Sequence, residues 1–195
     1  DSTKEAQFLQ SVYSACYYIP RPKDIKKIQD QILTTHVLTF CKKAQQKMIE
    51  IGKFKESICN LISTHKKITA LSSDQHKIYL DELKITYLEM KNDLYTTYTT
   101  LLKTLDNRIQ ACQTLVNNEH KSFSLLGAVT DNAPDYLMKN HAEFYNKKNS
   151  FVRLKENIDE QKNKIDITCS EFENPFNQLY HFLINPGHSV TMNTA

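Results

Sequence analysis

Histidine is the residue best suited to zinc ligation or general-base work, and this 195-residue chain has seven of them. Their spacing limits that chemistry. No H-E-x-x-H pair occurs, so no helix face offers two imidazoles and a carboxylate at metalloprotease spacing. The nearest approach to a ligand set requires the chain to fold back near residue 130, which would bring Glu119 and His120 toward His141 and Glu143. Such residue types are also common at wet helix ends. The expectation is therefore no bound metal and no other cofactor, with Glu119, His120 and His141 as the place to look for one.

The remaining catalytic vocabulary is sparse. Asp81-Glu82 and Asp159-Glu160 are adjacent in sequence, so they splay around a helix instead of facing one reacting atom. Neither G-x-S-x-G nor a phosphate-cradling glycine motif is present. These absences point to a chain that is not an enzyme. Cys16, Cys41, Cys59, Cys112 and Cys169 are odd in number and lack C-x-x-C spacing. That is not a disulfide framework, and it points to a reducing compartment: the cytoplasm, or a host cytosol if the chain is a secreted effector. Cys112 and Cys169 fall on apolar faces, where cysteine acts as a small buried hydrophobe.

Charge carries more information. The net charge is +3, but residues 22–70 hold ten lysines against four acids, while residues 73–125 and 134–172 are close to neutral. Lys23, Lys26, Lys27, Lys42, Lys43, Lys47, Lys53, Lys55, Lys66 and Lys67 make a basic strip that suits an acidic protein or an anionic membrane. The bland reading is a solvated face that pairs with the slightly acidic helix after it. Nucleic acid is disfavoured as a partner, because three arginines cannot supply the stacked guanidinium and aromatic platforms that single strands require.

Long helices must position these groups. Only three glycines and five prolines occur, against roughly 14 and 10 at average usage. They cluster near positions 20, 130, 175 and 186, leaving breaker-poor tracts that sheets, with a turn every 8–12 residues or so, do not use. Residues 2–18 read as a short amphipathic helix, with Ser2 and Glu5 at capping-box spacing and Phe8, Leu9, Val12, Tyr13 and Cys16 on one face. Residues 22–70 read as one long helix with Pro22 at its first position and Ile25, Ile28, Ile32, Val37, Phe40, Ala44, Met48, Ile51, Ile58 and Ile62 on its core face. A bend at Gly52 is allowed for. Leu71-Ser72-Ser73-Asp74 reads as a tight connection. Leu80, Leu83, Tyr87, Met90, Leu94, Tyr98, Leu101, Leu105, Ile109, Cys112 and Val116 then define a second long helix over 73–125. So short a connection between two long helices places them antiparallel.

After the loop at 126–135, a third helix over 134–172 repeats Leu137, Phe144, Phe151, Ile158, Ile165 and Phe172 every seven residues, which marks one seam position. The companion seam position carries His141, Lys148, Lys155, Lys162 and Cys169. A buried seam would want apolar residues there. His141, Lys148, Lys155 and Lys162 are thus either snorkelling lysines on a solvated edge or an uncovered stripe for a partner. Asn174-Pro175 is read as the end of that helix, with a short helix over 175–184 and a flexible tail over 188–195.

These readings combine into one expectation of fold class: all-α, an elongated antiparallel bundle of three long helices with a short amphipathic helix at each end, in one helical domain over 1–195. A start at Asp1 suggests a piece of a longer protein. In helix count and in its basic helix, the stretch 22–172 resembles the BAR family of membrane-curvature domains, which are dimers of three long helices with lysines on the curved face. That resemblance implies a homodimer bound to anionic membranes. The residues themselves favour a non-enzymatic helical rod that holds a protein partner, as a scaffold or effector domain does.

Overall fold

The structure, a computed structural model, describes residues 2–8, 22–64, 70–127 and 135–184, with side-chain surroundings over 2–8, 25–64, 74–118, 121 and 142–184. The chain is all-α. Residues 2–8 form helix α1, and three long helices follow: α2 (Pro22–Ser63), α3 (Ala70–Gly127) and α4 (Asp135–Ile184). Residues 1–36 and 37–195 are two compact units.

In the first unit, α1 is exposed along its length and Leu33 is buried. Ile25, Ile28 and Ile32, expected on the core face of α2, are 42%, 41% and 48% exposed. Helical spacing says that they share a face; it does not say that the face is covered.

The second unit is built on α3 and α4. Climbing α3 from Tyr87 through Tyr95 and Asp106 to Gln113 descends α4 from Glu173 through Asp166 and Lys155 to Lys148. The two helices therefore run antiparallel. Residues 37–63 of α2 lie against both: Phe40 packs on Tyr98 with ring centroids 6.5 Å apart, Lys43 pairs with Asp93, and Phe54 packs on Phe172 at 6.3 Å. Val37, Ala44, Ile51 and Ile58 from α2 meet Leu80, Leu94 and Leu105 from α3 and Ile158, Ile165 and Phe172 from α4 in the buried core. Each of these side chains except the smaller Ala44 contributes about 1.5–3 kcal/mol by leaving water. Threonine, a poor helix former, is accommodated because Thr86, Thr99, Thr100, Thr104 and Thr114 donate their hydroxyls to carbonyls four residues back.

Three element boundaries differ from those expected. α2 ends at Ser63 with Thr64 in a turn, and residues 65–69, expected to carry it to 70, lie outside the described ones. There the Ser63 and Thr64 hydroxyls take up the Asn60 and Leu61 carbonyls, so the last turn is satisfied without further helix. It passes Gly52 without interruption. α3 begins at Ala70, so Leu71, Ser72, Ser73 and Asp74, read as a connection, lie in its first turns; Ala and Leu are good helix formers and no proline opposes them. α4 continues through Pro175, replacing the expected break and separate short helix. The seven-residue seam explains why: Phe172 is followed by Leu179, and Cys169 by Phe176 and Leu183, all buried. Their burial outweighs the cost of about 3 kcal/mol for a helix-interior proline. The residues expected to form helix over 9–18 and a tail over 188–195 lie outside the described ones.

Candidate functional site

A dense group of titratable side chains sits where α3 faces α4. Tyr87, Lys91, Tyr95 and Tyr98 occupy successive turns of α3, and Asp159, Asp166 and Glu173 recur every seven residues on α4. The phenols of Tyr87, Tyr95 and Tyr98 donate to Glu173, Asp166 and Asp159 in turn. Lys91 reaches Glu173 Oε1 at 2.7 Å and lies about 6 Å from the Tyr87 and Tyr95 ring centroids. Burial raises all three phenols first; the bonded carboxylate follows at Tyr95 and Tyr98, and at Tyr87 the Cys169 thiol and then Glu173, which takes Tyr98 to about 12 and the other two further. Burial pushes the Asp166 and Glu173 carboxyls up, but the bonds from Tyr95 and Lys162 to Asp166, and from Lys91 and Tyr87 to Glu173, outweigh it and hold both below the ordinary range. At neutral pH each phenol thus keeps its proton, and Asp166 and Glu173 keep their charge. The cluster works as a set of charge-assisted hydrogen bonds that aligns two helices.

The stripe of His141, Lys148, Lys155 and Lys162 falls beside this cluster. Lys148 donates to Gln113 on α3, Lys155 pairs with Asp106 on α3 at 2.9 Å, and Lys162 pairs with Asp166 one turn along α4 at 3.0 Å. All three are half-buried. The companion seam position is therefore not an uncovered face, because the lysine stems lie along the seam and their ammonium groups find polar partners at its edge. The side chain of His141 lies outside the described residues.

The basic strip divides in the same way. In the second unit, Lys43 is held by Asp93 on α3, Lys47 by Glu50 at 3.5 Å, and Lys55 by Glu171 on α4 at 3.8 Å. Lys42 and Lys53 are exposed and make no ion pair among the described residues. They share the outer face of α2 with Leu38, 54% exposed, and Ile49, 62% exposed. Gly52 lies on the same face, and a Cβ built there meets no atom within 4 Å. In the first unit Lys26 and Lys27 are exposed. Lys66 and Lys67 lie outside the described residues, as does the side chain of Lys23. In the sequence Lys42 and Lys53 are indistinguishable from their paired neighbours in the strip, and the signal of Leu38 and Ile49 is their offset from the core spacing.

Among the described residues no group of three or more His, Cys, Asp or Glu side chains is placed to hold a metal ion. The side chains of Glu119, His120 and His141 lie outside those residues, and Glu143 is exposed along a shallow, open depression with Ala142, Asn146, Lys147 and Ser150. Cys41, Cys59, Cys112 and Cys169 are free thiols, and burial pushes Cys41 and Cys169 above their usual range, the reverse of an activated nucleophile. No helix among the described residues is long and apolar enough to cross a membrane. The chain matches no protein-family model, no curated protein and no solved structure.

Proposed function

We propose that the chain is a non-enzymatic helical interaction module, of the scaffold or effector kind, that holds a protein partner on the outer face of α2 between Leu38 and Lys53. One observation supports this reading above the others. Two large apolar side chains stand more than half exposed beside the two lysines of residues 37–63 that have no carboxylate partner among the described residues. An apolar patch rimmed by unneutralised charge is the usual composition of a docking surface. A BAR-like membrane dimer needs a continuous basic strip, and the pairing of Lys43, Lys47 and Lys55 with carboxylates reduces the positive field such a strip would present.

Site-specific photo-crosslinking tests the reading. A benzoylphenylalanine at position 49 should capture one protein repeatedly in the cells that make the chain, and the same group at Asn163 on α4 should not. The captured protein, purified, should bind the full chain in calorimetry, and Lys42→Glu with Lys53→Glu should weaken that binding by about tenfold or more. Undiminished binding by the doubly substituted chain would place the partner elsewhere and defeat the proposal.

A further inference from the structure

We infer that the segment received on this face is an acidic amphipathic helix, and that Gly52 marks where its backbone comes closest to α2. This rests on the protein-docking reading above and deepens it.

Three observations converge. First, Leu38 and Lys42 are four residues apart, and Ile49 and Lys53 repeat that pair eleven residues later. Eleven residues are close to three whole turns, about 16 Å, so the two pairs point in nearly the same direction along a straight helix. A second straight helix laid alongside can present apolar and acidic residues with that same period. A strand, rising about 3.3 Å per residue with alternating faces, matches it poorly.

Second, the two lysines are left unpaired in a stretch where Lys43, Lys47 and Lys55 all hold carboxylates. Ammonium groups with no carboxylate partner among the described residues, one a turn beyond each apolar side chain, select a partner bearing Asp or Glu at the matching positions.

Third, Gly52 has no packing role among the described residues. Glycine is the poorest helix former after proline, yet this one lies in a helix interior with nothing within 4 Å of where its Cβ would be. It makes no turn, and no non-glycine or glycine residue described here has a positive φ. Packing within the chain would accept alanine. No described residue profits from a missing side chain at this place, and a partner backbone approaching beside Ile49 and Lys53 would do so.

The test uses the full chain and a designed probe: a fluorescent helical peptide carrying two Leu/Glu pairs, each with four-residue spacing, set eleven residues apart. Vesicles of phosphatidylserine serve as the second probe. Anisotropy should show the peptide binding the native chain, Lys42→Glu with Lys53→Glu abolishing it, and Gly52→Ala weakening it by about fivefold or more while the chain melts at a higher temperature. Peptide binding unaffected by Gly52→Ala overturns the close approach. No peptide binding, while position 49 still captures a protein, overturns the acidic helix and leaves the docking module standing. Vesicle binding that the two glutamates remove, with neither peptide nor protein captured, overturns both and makes the face a membrane surface.

Discussion

The hydroxyl of Tyr98 donates to Asp159 Oδ1 over 2.6 Å, joining the middle of α3 to the middle of α4. The same contact recurs at Tyr95 with Asp166 and at Tyr87 with Glu173, one heptad of α4 at a time. Leucine and isoleucine seams tolerate sliding, because one apolar residue replaces another at little cost. A phenol facing a carboxylate does not, since a slip leaves both half-buried and unpaired.

Tyr98→Phe and Asp159→Asn should each destabilise the chain by about 1–2 kcal/mol, with a coupling energy of at least about 0.5 kcal/mol in the double-mutant cycle. Urea unfolding of the four variants measures it. Strict additivity would mean that the rung contributes nothing to stability.

Stability should fall in acid. Asp166 and Glu173 are held below the ordinary carboxylate range in the folded chain. Their contribution is therefore complete above the unfolded value of about 4 and lost as pH drops through the lower folded values. In alkali the sign reverses. Tyr98 is raised to about 12, so its contribution is complete below the unfolded value of about 10 and lost as pH rises toward 12. Melting temperature against pH should decline at both ends, and Asp166→Asn with Glu173→Gln should flatten the acid limb.

Gln161 is the buried polar side chain among the described residues, 7% exposed, and its amide oxygen accepts no hydrogen bond. Gln161→Leu should raise stability by about 1 kcal/mol, because an unsatisfied acceptor gives way to apolar packing between Ile158 and Ile165. A loss of similar size in urea unfolding would show that the amide is satisfied in solution.

Pro175 interrupts the hydrogen-bond ladder of a helix that nonetheless continues to Ile184. Pro175→Ala should stabilise the chain by about 1–3 kcal/mol and leave its helical circular dichroism unchanged or slightly higher. A lower melting temperature would mean that the ring packs better than the restored hydrogen bond compensates.

Much of the architecture was legible because helical period and burial coincide. Phe151, Ile158, Ile165 and Phe172, seven residues apart, are all buried, as are Leu80, Leu83, Tyr87, Met90 and Leu94. Where the reading missed, a local signal lost to a tertiary one. Pro175 is a breaker on its own, but Phe176, Leu179 and Leu183 beyond it continue a seam that α3 already covers. Lys148 and Lys155 looked like an uncovered stripe until Gln113 and Asp106 on α3 were found opposite them.

The amino-acid sequence by itself determined the all-α class, the core residues of α3 and α4 and the concentration of lysine in α2, because period, scarcity of breakers and charge count are properties of the chain alone. Only the tertiary structure decided which lysines are neutralised, which tyrosine meets which carboxylate, and that the face shared by Leu38, Lys42, Ile49 and Lys53 is exposed. Those outcomes depend on the register between helices, and register is set by groups more than 60 residues apart that no local pattern brings together.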